Sequence, residues 1–327
     1  MAGTLRALRR RLLTPDLSEA RFATRGFHEK DPAARELLET IGEMFLTGYG
    51  YVMEAADPAD ADQRLEALPR RFRGFAYEGA AMACAMLDAL SFGRRARVAA
   101  LLDRRGREHS YMIHVGAGWA MARLPAFRRS AIVPRDPLLR WLALDGYGFH
   151  QAYFHTARYV HERYQDAVPP WTTGGGPQAY AARAIDQGIG RAVWFVGGAD
   201  PARVADLVDG FPAERRADLY SGVGLAATYA GGADDRELKD LAERAARYRP
   251  QVAQGSAFGA TARVEAGLVV AETGRATRLL CGSDPETAAA VCARTRPVPV
   301  VDHGQPAYET WRTRIAAELA GGALGLA

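Results

Sequence analysis

The stretch Arg73-Gly-Phe-Ala-Tyr-Glu-Gly-Ala-Ala-Met-Ala83 recurs in altered form as Arg216-Ala-Asp-Leu-Tyr-Ser-Gly-Val-Gly-Leu-Ala226. An arginine, a tyrosine, a glycine and an alanine keep their places in both copies, at a shift of 143 residues. The upstream tripeptide Ala56-Asp57-Pro58 recurs at the same shift as Ala199-Asp200-Pro201. Self-similarity at a fixed spacing is typical of repeated structural units, so the sequence predicts an internally duplicated fold.

A third block continues the similarity at a slightly smaller shift. Tyr111 and Gly118 are matched there by Tyr248 and Gly255, 137 residues later. We interpret residues that both halves keep as residues that the fold requires. Residues that only one half carries are candidates for chemistry.

Five Asp-Pro dipeptides indicate helix starts. Aspartate at an N-cap accepts bonds from the free N–H groups of the first turn, and proline lacks an N–H that would be unsatisfied there. Strand signals are weak, since a candidate such as Val298-Pro-Val-Val301 is interrupted by proline. The sequence therefore predicts an all-α protein, with helices at 33–56, 58–68, 70–90, 109–124, 137–163, 178–196, 201–210, 213–230, 235–247 and 250–266.

The predicted halves are residues 1–168, which close with the long helix 137–163, and residues 178–327. Between them, Pro169-Pro-Trp-Thr-Thr-Gly-Gly-Gly-Pro177 has the composition of a linker. We expect the two halves to pack against each other.

Paired glycines interrupt several predicted helices and lower their helix propensity. The interpretation we favour is close approach of neighbouring helices. The alternative is a dinucleotide-binding fingerprint, which only Gly222-Val-Gly-Leu-Ala-Ala227 matches, and no convincing strand precedes it.

The composition of the 327-residue chain excludes several classes of protein. The 42 basic and 38 acidic residues leave a net charge of +4, and the arginines are dispersed, whereas nucleic-acid binding needs a concentrated patch. No apolar run approaches the roughly 20 residues of a membrane span, and the basic start lacks the apolar segment of a signal peptide. Three cysteines without metal-ligand spacing suit a reducing compartment. We expect a soluble, cytoplasmic protein with no nucleic-acid partner.

Glu78 is the first candidate for chemistry. Its predicted helix is apolar all round, which is typical of a buried helix. A carboxylate there needs a partner or a raised pKa. The corresponding residue of the second half is Ser221, so the fold does not require a carboxylate at this place.

His114 lies on another nearly all-apolar helix, and its counterpart at the shift of 137 is Gln251. Two interpretations remain open: a hydrogen-bonded core histidine, or a ligand or proton carrier.

The segment from Asp145 to His161 is the densest in polar and aromatic groups. If it is one helix, a single stripe carries Tyr147, His150, Gln151, Phe154, Arg158 and His161. A merely solvated face would carry more Glu, Lys and Asp. The stripe is therefore either a binding or catalytic face or a polar helix–helix interface.

A metal is a further alternative. Glu78, His114 and His150 have the residue types of a two-histidine-one-carboxylate iron site. No Glu-x-x-His pair supports such a site, so we assign no metal ligands. The cofactor is left unknown, with non-haem iron as the alternative.

Four phrases resemble the UnbL-type proteins found with enediyne polyketide synthases, and the similarity runs from about Leu12 to Ile315. The phrases are Arg73-Gly-Phe-Ala-Tyr-Glu-Gly-Ala-Ala-Met82, His114-Val-Gly-Ala-Gly-Trp119, Trp141-Leu-Ala-Leu-Asp-Gly-Tyr-Gly-Phe-His-Gln151 and Leu219-Tyr-Ser-Gly-Val-Gly-Leu225. The resemblance implies a soluble bacterial protein of enediyne antibiotic biosynthesis, near the step that turns a polyketide polyene into the enediyne core. It brings no established reaction or catalytic residues.

Two functional hypotheses follow. In the first, the protein is an oxidoreductase-type or acid–base tailoring enzyme with an apolar cavity for a hydrophobic polyketide-derived molecule. Its catalytic residues are Glu78, His114, Tyr147 and His150, and its substrate contacts are Tyr77, Trp119, Gln151, Phe154 and Arg158. In the second, it is a non-catalytic carrier or scaffold that shields the polyene, or docks on the synthase or other proteins of the enediyne cassette.

Overall fold

The computed structural model describes residue 10 and the ranges 14–56, 58–91, 96–166 and 178–324. Within these ranges the chain forms sixteen α-helices and no strand, which confirms the all-α prediction. The predicted linker 169–177 lies outside the described residues.

Eight helices precede the linker region. They are α1 (Phe22–Arg25), α2 (Pro32–Glu54), α3 (Pro58–Glu66), α4 (Arg73–Leu90), α5 (Arg97–Leu102), α6 (Ser110–Arg123), α7 (Ala126–Arg129) and α8 (Trp141–Phe154).

Eight more follow it. They are α9 (Gln178–Val196), α10 (Pro201–Asp209), α11 (Ala213–Tyr229), α12 (Asp235–Ala245), α13 (Arg249–Glu265), α14 (Ala271–Leu280), α15 (Pro285–Thr295) and α16 (Ala307–Leu324).

Four of the five Asp-Pro dipeptides have their proline as the first residue of a helix. Asp31, Asp200 and Asp284 accept backbone N–H bonds at 2.7–2.9 Å from the first turns of α2, α10 and α15. Asp136 also accepts two backbone bonds, but α8 begins only at Trp141. Asp57 is outside the described residues.

The predicted long helix 137–163 is wrong at both ends. Helix α8 ends at Phe154, where His155 leaves helical geometry with φ −122° and ψ 48°. Thr156 Oγ1 donates back to the carbonyl oxygen of Ala152 at 2.9 Å, a bond that competes with the backbone ladder. A π-helical turn, Ala157–His161, follows the break. Since no glycine or proline marks this end, the sequence pattern does not reveal it.

Seven helices pack side by side in the order α2, α4, α6, α8, α9, α11 and α13. Helices α10, α12 and α14 pack on one another alongside this row, and α15 and α16 pack on α13. The row is the frame on which the buried residues are arranged.

Glycines bring the helices of the row into backbone contact. At eleven positions a β-carbon would lie 1.8–2.2 Å from a carbonyl oxygen of the neighbouring helix, so no side chain fits there. The positions are Gly48, Gly79, Gly116, Gly118, Gly146, Gly148, Gly188, Gly190, Gly222, Gly224 and Gly255. This confirms the packing interpretation of the paired glycines.

The pairs inside the row face two ways, whereas in α2, at the end of the row, Gly48 meets Ala76 and Gly50 meets the side chain of Arg10. Gly116 meets the carbonyl of Glu78 in α4, and Gly118 meets that of Ala143 in α8. A glycine pair two residues apart therefore lets one helix touch a neighbour on each side. The fingerprint-like pair that starts at Gly222 serves this packing between α9 and α13.

The two copies of the opening motif make matching backbone contacts. Arg73 Nε donates to the carbonyl of Leu68 at 2.9 Å, and Arg216 Nε donates to the carbonyl of Phe211 at 2.7 Å. In both cases the arginine side chain binds the end of the loop that precedes its own helix.

The tyrosines of the two copies also match. Tyr77 donates its hydroxyl to Glu66 at 2.8 Å, and Tyr220 donates to Asp209 at 3.1 Å. Both acceptors lie 11 residues before their tyrosine, at the end of α3 and of α10.

Two further findings bear on the sequence predictions. Every helix in the described part of the chain is too short or too polar to cross a lipid bilayer. Cys84, Cys281 and Cys292 are free thiols, and two of them are buried.

Candidate functional site

A cavity of about 540 Å³ lies against the row of helices. Helices α2, α4, α6, α8, α9 and α11 all contribute to its wall. Nine phenylalanine, tyrosine and tryptophan side chains line it: Phe45, Tyr49, Phe75, Trp119, Phe149, Tyr153, Phe154, Phe195 and Tyr229. Its volume and apolar lining are typical of a small-molecule site.

Glu78 stands in the wall of this cavity and is only 3% exposed. Trp119 Nε1 donates to Glu78 Oε1 at 3.0 Å, and Arg191 Nη2 lies 3.7 Å from the same oxygen. Burial raises the pKa of Glu78 to about 7, although the charge of Arg191 and the N–H of Trp119 oppose the shift. Glu78 can therefore both hold and release a proton near neutral pH.

Arg191 joins Glu78 to a second buried carboxylate. Its Nη1 donates to Oδ1 of Asp145, while Oδ2 of Asp145 is buried with no partner among the described residues. One cation thus faces two carboxylates. The charge of Arg312 also acts on Asp145, so burial is the main reason that Glu78 takes up a proton.

Arg191 is the functional residue that sequence reasoning missed. The available signal was an arginine next to Gly190 inside a strongly apolar helix. A buried arginine needs acceptors for its N–H groups, but the sequence does not say which groups supply them.

His150 occupies another part of the wall and is 7% exposed. Its Nδ1 lies 3.3 Å from Oε1 of Gln151, an acceptor, so this nitrogen carries the ring proton. Burial lowers the pKa of His150 to about 3, which keeps the ring neutral at physiological pH. The ring of Trp119 meets His150 edge-on, with centroids 5.6 Å apart.

Four of the nine predicted site residues line the cavity: Glu78, Trp119, His150 and Phe154. They come from three helices, α4, α6 and α8. The row of helices therefore brings together residues that are separated by more than 70 positions in the sequence.

His114 and Tyr77 are placed elsewhere. His114 Nδ1 bonds the carbonyl of Ser110 in its own helix at 2.7 Å, and burial lowers the pKa of the ring. Tyr77 donates to Glu66 and stacks on His109 at 4.1 Å. Both make contacts typical of structural residues.

Tyr147, Gln151 and Arg158 also lie outside this cavity. Tyr147 donates to Asp166 at 3.3 Å. Gln151 and Arg158 line a second, more polar cleft beside the first cavity, and the two share Tyr153, Phe154 and His155. The helix break at His155 is the reason that Arg158 does not continue the stripe of α8.

The iron site considered from the sequence is not formed by Glu78, His114 and His150. Across the described ranges, no three His, Cys, Asp or Glu side chains are grouped as metal ligands.

Comparison with known proteins places the chain in one family. No curated protein and no solved structure matches it. A family model described as "Protein of unknown function (DUF1702)" matches residues 4–319. Because that match spans nearly all of the 327 residues, the chain belongs to the DUF1702 family.

Proposed function

We propose that this protein binds a polyketide-derived polyene in the aromatic cavity and acts on it during maturation of an enediyne core. The observation that carries the proposal is a cavity with nine aromatic side chains and a proton-carrying carboxyl group, Glu78, in its wall. A conjugated chain is flat and polarisable, so aromatic rings bind it well. The polyketide context comes from the resemblance to UnbL-type proteins.

Acid–base chemistry is the reaction type that these side chains support best. Glu78 holds its proton near neutral pH, while Arg191 stays paired with Asp145. The Trp119 N–H fixes Oε1 of Glu78, which leaves the other oxygen to give a proton to the ligand or take one from it. His150 lies in the same wall with a neutral ring and is a second polar group of the cavity.

We further propose that the two halves are an internal duplication. The matched contacts of Arg73 and Arg216 support it. So does a pair of stacked rings: Tyr77 stacks on His109, and Tyr220 stacks on Tyr248 at 5.2 Å.

The stacked rings also revise the third block of the alignment. His109 and Tyr248 are 139 residues apart, whereas the sequence comparison matched Tyr111 to Tyr248 at 137. The glycine contacts agree with 139, because Gly116 meets the carbonyl of Glu78 as Gly255 meets that of Ser221. On this alignment Ala253, not Gln251, corresponds to His114.

The second candidate function is a carrier or scaffold. It is favoured by the side-by-side row of helices, an arrangement that suits extended binding surfaces. A carrier needs the aromatic cavity but not the proton of Glu78. The two functions therefore predict different effects of Glu78→Gln on product formation.

Binding is tested by titrating the protein with a fluorescent conjugated tetraene fatty acid and following the emission of the protein's tryptophans and of the probe. Saturable quenching in the wild type and its loss in Trp119→Phe support binding in this cavity. No saturable binding would refute the proposed ligand class.

Catalysis is tested in an enediyne-producing strain with Glu78→Gln, against Tyr147→Phe as the matched control outside the cavity. An enzyme acting through Glu78 loses product at least about 100-fold in the first variant and little in the second. If Glu78→Gln still binds the tetraene and sustains full product, the carrier function is correct.

A further inference from the structure

The cavity is lined by an arginine that forms no ion pair with the described residues. Arg123 is the last residue of α6, one turn after Trp119, and both line the cavity. The Arg123 side chain is exposed, and no carboxylate among the described residues lies within ion-pair distance of it. A guanidinium at the edge of an apolar cavity is a ready partner for an anion.

The acidic groups of the same wall are already engaged. Glu19 pairs with Arg25 at 2.7 Å, and Asp16 accepts a backbone bond from Ser18 at 2.8 Å. They do not neutralise Arg123.

Tyr49 adds a second unused donor. It lines the same cavity, is 1% exposed, and its hydroxyl is buried with no hydrogen-bond partner among the described residues. Burial raises the pKa of Tyr49 to about 12, and the charge of Arg123 opposes that shift. Buried hydroxyls without partners are rare, and each one calls for an explanation.

We propose that Arg123 and Tyr49 bind the carboxylate head group of the cavity's ligand, whose apolar chain runs along the aromatic wall towards Glu78. A carboxylate accepts from a guanidinium and a phenol at once, and such charge-assisted bonds are among the strongest hydrogen bonds. A neutral hydrocarbon would leave both donors unused. The inference rests on the proposed function and narrows the ligand to a free long-chain unsaturated carboxylic acid.

The experiment compares a fluorescent conjugated tetraene fatty acid with its methyl ester, which has the same chain but no charge. We expect the wild type to bind the acid about tenfold more tightly than the ester. Arg123→Gln should abolish that preference by weakening binding of the acid alone. Tyr49→Phe should reduce the preference by about threefold. Arg236→Gln, which removes an exposed charge on α12, should leave both affinities unchanged.

The outcomes separate the two proposals. The head-group assignment is wrong if the wild type binds acid and ester equally, or if Arg123→Gln weakens binding of both equally. Either result leaves the proposed polyene binding intact. If the wild type binds neither probe, the proposed function fails and the head-group assignment fails with it.

Discussion

At the scale of single residues, Glu78 has the properties that its sequence surroundings predict. It lies in an apolar helix, it is buried, and burial raises its pKa to about 7. Two partners, Trp119 and Arg191, keep that pKa from rising further. The result is a carboxyl group that changes its protonation in the physiological range, at the wall of a cavity.

Glu78→Gln should alter how stability depends on pH. The folded pKa of about 7 lies above the ordinary value of 4.5, so the folded state holds an extra proton between these values. Stability of the wild type therefore falls as pH rises through this window, by up to about 3 kcal/mol. Glutamine removes the effect, so thermal unfolding should show the variant gaining stability relative to wild type from pH 5 to pH 8. A constant difference across that range contradicts the assigned pKa.

Asp145→Asn should lower the pKa of Glu78. The charge of Asp145 raises that pKa, and without it Arg191 has Glu78 as its remaining acidic partner. Carbon-13 NMR of labelled glutamate side chains, assigned with Glu78→Gln, measures the titration directly. An unchanged midpoint would show that the two carboxylates do not share Arg191.

At the scale of elements, the glycine pairs decide how closely the helices of the row pack. Gly188 illustrates this, because a β-carbon there would lie 1.8 Å from the carbonyl oxygen of Asp145. The obstacle is backbone, which cannot rotate away as a side chain can. The close approach also holds α8 against α9, and with them Asp145 against Arg191.

Gly188→Ala should therefore destabilise the protein by about 3 kcal/mol or more. Gly321→Ala is the matched control in α16, where no atom lies within 4 Å of the added carbon. There the gain in helix propensity should leave stability unchanged or raise it by up to about 1 kcal/mol. Chemical denaturation of both variants gives the comparison, and equal effects would exclude helix contact as the role of Gly188.

At the scale of the whole molecule, the cavity depends on both halves of the chain. Phe45, Glu78 and Trp119 come from before the linker region, and Arg191 and Tyr229 come from after it. Arg263 adds a further link, since it donates to the carbonyls of Arg71 at 2.7 Å and of Tyr229 at 2.6 Å. Neither half alone encloses the site.

Fragments 1–168 and 178–327 should thus fail to fold cooperatively when expressed separately, because each would expose the α8–α9 contact and one side of the Asp145–Arg191 pair. Co-expressed, they should purify together and unfold in one cooperative transition, followed by circular dichroism. If either fragment folds alone with full cooperativity, the halves are independent domains.

The sequence by itself determined the helical character, most helix positions and the burial of Glu78. These depend on local properties: Asp-Pro caps, apolar periodicity and the poor helix propensity of glycine act within a few residues. Only the tertiary structure decided which helices are neighbours and therefore which side chains share a cavity. Arg191 and Arg123 line the cavity. His114 instead bonds its own helix, and Tyr77 bonds Glu66. The sequence does not reveal these partners, because the partner of a buried polar group is set by the tertiary packing. The end of α8 before His155 was also not evident from the sequence, because a side-chain hydrogen bond accompanies it and no glycine or proline marks it.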